Sequence, residues 1–182
     1  VFDGDRQIGV IAMQYPIDKI TATINSNQTW DKIGLGTSGD AYIVGADKML
    51  RTNVRDVLTA KSQFISAMGD RANPATKALI DKKNTSIGVV NADSPAVQEA
   101  VAGRSGVTRF ADYRGVPMVG AYAPLQLQGL NWGIVTAISQ AEEPRRLIGE
   151  HADRLLDREG AETAHAFGQQ LGNDFGSRRA HD

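Results

Sequence analysis

The sequence GVTRFADYRGVPMVGAYAPLQLQGLNWGIVTAIS, residues 106–139, has the clearest strand pattern in this chain. It predicts three strands, at 106–113, 116–125 and 130–139, because its Val, Ile, Tyr and Trp residues suit a pleated, half-buried sheet. A turn at Arg114-Gly115 and a polar loop over 126–129 connect them. Short connections make such strands antiparallel neighbours. We therefore predict an α+β domain whose core is a three-strand antiparallel meander with helices packed on it.

The composition limits the classes of function. With 182 residues, the chain is long enough for one domain with a substantial core. A formal net charge of −1 predicts neither nucleic acid nor an anionic membrane as a partner. The absence of cysteine excludes disulfides, thiolate zinc sites and a cysteine nucleophile. A run of about 18 apolar residues, which would indicate a membrane span, is also missing.

One strand and one hairpin are predicted near the start of the chain, upstream of the meander. Alternating residues over 7–15 predict a strand, and Pro16 then suits the first turn of a helix over 16–27. Residues 41–45 and 49–52 predict a hairpin, because the Ala46-Asp47-Lys48 segment between them has ordinary turn chemistry.

Helix signals follow in the middle of the chain. Asn73 precedes a proline and predicts the cap of a helix that runs to about Ile80. Ser94 precedes Pro95 in the same way and predicts the cap of a helix over 96–102. Between them, residues 87–90 are predicted to form a short strand.

Residues 34–39 read GLGTSG and match the G-x-G-x-x-G pattern of dinucleotide-binding loops. That fingerprint requires a strand before it and a helix after it. Here a polar, helical stretch with Trp30 precedes the loop, and the strand-like DAYIVG follows it. We interpret it as a loop entering a strand. A small nucleotide-binding protein or enzyme that uses this loop is the alternative.

Several phrases resemble one family. FADYRGVPMVGAYAPL followed by LNWGIVTAIS resembles the last three strands of Cache-type sensor domains. These are PAS-like extracellular modules of bacterial chemoreceptors, of sensor kinases in two-component systems and of nucleotide cyclases. GLGTSGDAYIV and VGADKMLRT are similar to two further phrases of the family, with departures at Ser38 and Thr52. The resemblance covers about residues 7–143.

The resemblance implies a domain organisation and a location. Residues 1–30 would be the last strand and connector helix of a preceding, distal sensor module, and 31–143 the membrane-proximal module. We expect residues 144–182 to form a helical tail that is non-native or partly disordered. The implied protein is a non-enzymatic periplasmic or extracellular part of an inner-membrane receptor. It would act as a homodimer, reach the membrane only through flanking helices missing from this sequence, and serve a cyclase, kinase or chemotaxis output.

The resemblance also implies a ligand site against the sheet face, for an amino acid, a carboxylate or an amine. Its candidate residues are Tyr42, Arg51, Asp112, Tyr113 and Tyr122. The tyrosines have an aromatic body and a polar tip, which suits either a ligand wall or the edge of a core.

Arg51 is also a candidate binding residue on the sequence alone, without the resemblance. An arginine on a strand is costly to bury without a partner, so it is suited to hold a carboxylate in bidentate fashion. A salt bridge to Asp47 or Asp56, or exposure to solvent, is the alternative. If Arg51 is paired internally and no pocket exists, the chain is a structural spacer module.

The sequence predicts no catalytic, metal or cofactor site. All three histidines, His151, His165 and His181, lie in the tail, and their spacings of 14 and 16 residues fit no ligand motif. Neither a G-x-S-x-G elbow nor an H-E-x-x-H motif occurs.

Overall fold

A computed structural model of the chain describes residues 2–9 and 16–142. In chain order, its helices and strands are β1 (Phe2–Asp3), β2 (Arg6–Gln7), α1 (Ile17–Ile24), β3 (Asp40–Gly45), α2 (Arg55–Thr59), α3 (Lys61–Ala67), α4 (Pro74–Lys83), α5 (Pro95–Val101), β4 (Gly106–Ala111), β5 (Pro117–Leu127) and β6 (Leu130–Ser139). Short 3-10 turns at Trp30–Ile33 and Gly69–Arg71 complete them. This is an α+β fold. None of the helices in the described part is long and apolar enough to cross a membrane.

Strands β3 to β6 form one antiparallel sheet in the order β3-β6-β5-β4. The predicted meander is confirmed. The predicted loop over 126–129 is too long, because Leu127 pairs with Leu130 and only Gln128 and Gly129 remain in the turn. Gly129 has a φ of 77°, which a two-residue hairpin turn commonly requires. Because β3 pairs with β6, the last strand lies inside the sheet.

The connection between β4 and β5 differs from the predicted tight turn. β4 ends at Ala111 instead of Tyr113, and residues 112–116 form a loop. The carboxylate of Asp112 accepts the backbone N–H of Arg114 at 2.8 Å and that of Val116 at 3.0 Å. Asp therefore closes the loop through its side chain, as this residue often does in turns.

Only the first arm of the predicted hairpin is a strand. β3 is confirmed, whereas Met49 and Leu50 make isolated bridges, with Asn91 and Val44 respectively. The N–H of Leu50 donates to Val90 O at 3.1 Å, so this stretch pairs with the 90–91 segment as well as with β3. The predicted strand over 87–90 is wrong: residues 87–89 form a turn, in which Gly88 has a φ of 65°.

The N-terminal predictions are met in part. β1 and β2 form a separate two-stranded hairpin, and of the described residues 7–9 of the predicted strand over 7–15, Gln7 alone lies in a strand. Residues 10–15, and the tail from 143 onwards, lie outside the described residues. The helix predicted after Pro16 is confirmed as α1.

Both predicted helix caps are confirmed. The Asn73 side chain accepts the N–H of Thr76 at 2.8 Å, and that of Ser94 accepts the N–H of Val97 at 3.3 Å. These bonds satisfy amides that have no partner within the helix. Helix α5 then packs closely on β6.

The main core lies on the face of the sheet that the helices cover. Tyr42, Val135 and Met118 point to this face from successive strands, and Phe64 of α3 and Val97 of α5 are buried with them. Alternation of side chains along each strand puts these residues on one side. The opposite face is buried at β3, where Ile43 is fully inaccessible to solvent.

Candidate functional site

Three of the five predicted site residues come together beneath the helices. The rings of Tyr42 and Tyr113 meet edge to face, with centroids 6.0 Å apart, and Tyr113 makes a similar contact with Phe64 at 5.9 Å. Asp112 precedes Tyr113 and is buried. Burial raises the pKa of both phenols well above the ordinary value, and the carboxylates of Asp112 and Asp40 raise that of Tyr42 further. Both tyrosines are therefore neutral.

Arg114 joins this group and was missed by sequence reasoning. Its Nε donates to Asp112 at 2.8 Å, its Nη2 lies 2.6 Å from the same carboxylate, and its Nη1 donates to Asp56. The guanidinium carbon lies 5.5 Å from the centroid of the Tyr113 ring. The short spacing between Asp112 and Arg114 is visible in the sequence, but the partner on α2, 58 residues away, is not.

Asp40 is the second residue that sequence reasoning missed. It begins β3, where its carboxylate accepts the N–H of Ala41 at 2.8 Å and that of Arg55 at 2.7 Å. Burial raises the pKa of Asp40 to about 7 although both N–H donors lower it, and nearby Asp56 raises it further. The strand-like sequence DAYIVG gave no sign of a buried carboxyl, because Asp at the start of a strand is usually part of a turn.

We call these residues the buried acidic cluster, in which only the Asp56 side chain, 33% exposed, reaches solvent appreciably. Its members are Asp40, Tyr42, Asp56, Asp112, Tyr113 and Arg114. Three carboxyl groups outnumber the single guanidinium of Arg114, and the cluster keeps an excess of negative charge even when Asp40, with its pKa of about 7, is protonated. It is therefore a better match for an organic cation than for an anion. Partly compensated charge of this kind is expensive to bury, and such sites occur often in functional clefts.

Arg51 lies elsewhere. Its Nη2 donates to both oxygens of Asp47, at 2.7 and 2.8 Å, and its Nη1 donates to Met49 O at 3.1 Å. Its guanidinium carbon lies 5.9 Å from the Trp132 ring. Trp132 is opposite Gly45 in the sheet and therefore shares the face that points away from Tyr42. The structure thus contains the Asp47 salt bridge, one of the alternatives for Arg51.

Tyr122 lies on the same face as Tyr42, two strands away. It is directly opposite Val135, which in turn is opposite Tyr42. Neighbouring strands are about 4.8 Å apart, so the Cα atoms of the two tyrosines are roughly 10 Å apart. Tyr122 is half-buried, and its hydroxyl occupies the space that a side chain at Gly106 would need.

An open groove between α3 and α4 is a further concave feature. It is lined by Ser62, Ile65, Lys77, Ala78 and Asp81 and includes none of the predicted site residues. Across residues 2–9 and 16–142, no group of three His, Asp or Glu side chains is arranged to hold a metal ion.

The GLGTSG loop enters β3, as the sequence predicts, and Gly39 is followed directly by the strand. Its backbone amides bind a carboxylate of the same chain, that of Glu142. Comparisons with known proteins add nothing to this geometry: no protein-family model, curated protein or solved structure matches the chain.

Proposed function

We propose that this chain is an extracytoplasmic sensory module of a bacterial transmembrane receptor, with a PAS-like, Cache-type fold. Support comes from the sequence phrases and from the architecture, an antiparallel sheet whose last three strands form the meander and whose one face is covered by helices. The proposed receptor is a homodimer with this module in the periplasm, and the module itself is not an enzyme.

The observation that carries the proposal is the buried acidic cluster. It connects three separate parts of the fold: the start of β3 through Asp40, helix α2 through Asp56, and the β4–β5 loop through Asp112 and Arg114. A ligand that binds there would touch all three at once. Because the carboxyl groups are in excess, we propose a small molecule with a primary amine or another cationic group as the ligand.

The position of β6 supports transmission of a signal. Val135 of β6 is directly opposite Tyr42 of β3, so a shift of Tyr42 presses on the last strand. β6 is held on both sides, by β3 and by β5, and is therefore a stiff element. A small displacement of a stiff, packed element is enough to bias the chain that follows it. The ligand must bind one of the two arrangements more tightly than the other, since otherwise it shifts nothing.

A thermal-shift screen of the full chain tests this proposal. The compounds are primary amines, amino acids, small carboxylates and nucleotides, and the variants are Asp56→Asn and, as a matched control, Arg51→Ala. A ligand at about 100 times its dissociation constant adds roughly 2.7 kcal/mol of stability. We expect an amine to stabilise the parent and Arg51→Ala but not Asp56→Asn.

Other outcomes of the screen point to the other functions. Stabilisation by carboxylates that disappears in Arg51→Ala would contradict the cluster as the ligand site. Stabilisation by nucleotides alone would favour the small nucleotide-binding protein or enzyme, although in this structure a strand, and not a helix, follows the GLGTSG loop.

A structural spacer module is the second candidate function. One observation favours it: Arg51 is paired within the chain, to Asp47, as a spacer requires. In that case the buried acidic cluster only holds α2 and the β4–β5 loop to the sheet. A screen in which no compound stabilises the parent would support the spacer over the sensor.

A further inference from the structure

The loop before β3 binds a carboxylate with its backbone. One oxygen of Glu142 accepts the N–H of Thr37 at 2.7 Å and its hydroxyl at 3.0 Å, and the other accepts the N–H of Ser38 at 2.7 Å. Successive backbone N–H groups that converge on one point form an anion-binding concavity. The hydrogen bonds from Ser38 and Thr37 lower the pKa of Glu142 to about 2, so the bound group is an ionised carboxylate at neutral pH.

Among the glycines of this loop, Gly36 allows the contact with Glu142. Gly36 has a φ of 53°, a backbone conformation that other residues rarely adopt. A Cβ atom at this position would lie 2.2 Å from the Glu142 oxygen, so any side chain there would collide with the carboxylate.

Contacts that do not involve the carboxylate also hold the loop. Arg55 donates from Nη1 to Gly36 O at 2.8 Å and to Gly39 O at 3.0 Å, and its guanidinium carbon lies 4.5 Å from the centroid of the Trp30 ring. The N–H of Gly39 donates to Leu35 O at 2.8 Å. These contacts support the loop independently of the anion, as a preorganised binding site requires.

The occupant of the site comes from the end of the last strand. Glu142 lies three residues beyond Ser139, where β6 ends, and the N–H of Ser139 donates to the Ser38 hydroxyl at 3.0 Å. Residues 38 and 142 are 104 positions apart in sequence, so these bonds join the chain that enters the sheet to the chain that leaves it.

We propose that Gly36–Ser38 is a carboxylate-binding site, filled in this structure by Glu142, and that an external carboxylate releases the chain beyond β6 by displacing Glu142. We call the contact between Glu142 and residues 36–38 the latch, because it holds the chain at the end of β6 until Glu142 is displaced. Its role in signalling rests on the proposed function, because it controls the segment through which the module would pass a signal. The Glu142 carboxylate bonds to Thr37 and Ser38, which are not members of the buried acidic cluster, so the latch is measured separately from it.

Amide hydrogen exchange on the full chain tests the latch. We expect Glu142→Ala to accelerate exchange of the Thr37 and Ser38 amides at least about tenfold, since each loses a hydrogen bond to a charged group. Glu99→Ala is the matched control, because Glu99 is an exposed carboxylate on α5 that pairs with Arg104, and it should leave both amides unchanged. Gly36→Ala disturbs the same contact from the loop and should accelerate exchange of residues 139–142.

Titration with sodium acetate, followed by the NMR shifts of the Thr37 and Ser38 amides, tests the binding site. In Glu142→Ala the shifts should saturate, and sodium chloride at equal ionic strength should not reproduce them. The parent should need at least about tenfold more acetate, because the tethered Glu142 competes at a high effective concentration. Unchanged exchange in Glu142→Ala, no saturation in that variant, or equal acetate responses of parent and variant would each overturn the proposal, whereas the amine screen can fail without affecting it.

Discussion

Replacing Asp112 with alanine should destabilise the fold by about 3 kcal/mol. The Asp112 side chain is only 3% exposed and accepts bonds from the backbone N–H groups of Arg114 and Val116 and from the Arg114 guanidinium. Removal of one partner of a buried ion pair typically costs about 3–5 kcal/mol, because the other charge is left unpaired. The low end applies, since Arg114 retains its contact with Asp56.

Urea denaturation followed by circular dichroism, together with calorimetry, measures this effect. In a chain of 182 residues, 3 kcal/mol should lower Tm by about 6–12 °C. Asp93→Ala is the matched control, because Asp93 is 43% exposed and pairs with Lys48 at 2.8 Å. An exposed pair of this kind contributes at most about 1 kcal/mol.

A double variant separates the loss of the pair from the loss of the loop bonds. Asp112→Ala combined with Arg114→Met should cost less than the sum of the two single changes, because it leaves no unpaired guanidinium behind. If Asp112→Ala alone costs no more than Asp93→Ala, the ion pairs do not hold the β4–β5 loop in place and the reasoning is wrong.

Two further predictions concern Asp40 and the approach of α5 to the sheet. The pKa of Asp40 is about 7 in the folded state and 3.8 in the unfolded state, so the folded protein holds more protons between these values. Its contribution to the free energy of unfolding should therefore fall by about 2 kcal/mol between pH 5.5 and 8. Asp40→Asn should lack this fall when urea curves are compared with the parent at each pH, and a parallel fall in both proteins would contradict the assignment. Gly133→Ala should cost about 1–3 kcal/mol in the same assay, because the new Cβ would lie 2.6 Å from that of Ala100. A cost within about 0.5 kcal/mol, as for an ordinary surface substitution, would refute the close packing.

Parts of the fold could be read from short stretches of sequence. The meander, the caps at Asn73 and Ser94 and the loop-to-strand order at residues 34–45 all depend on residues within a few positions of each other. The strand predicted at 87–90 was wrong and the one at 49–52 was incomplete, because strand pairing depends on segments that are far apart in sequence. β3 takes β6 as its full-length partner, 87 to 97 positions further along the chain, and isolated bridges form at its other edge within the described residues.

The residues of the candidate site likewise include some that local sequence patterns locate and some that only packing brings together. Short-range sequence patterns located the order of elements and put Tyr42, Asp112 and Tyr113 on or beside sheet strands. The contacts of Asp56 with Arg114, across 58 residues, and of Glu142 with Ser38, across 104, arise from tertiary packing and could not be predicted. Alternation, capping and turn chemistry act over a few residues and therefore leave a local pattern. An ion pair between distant segments leaves none, because its geometry exists only after the sheet and helices have packed.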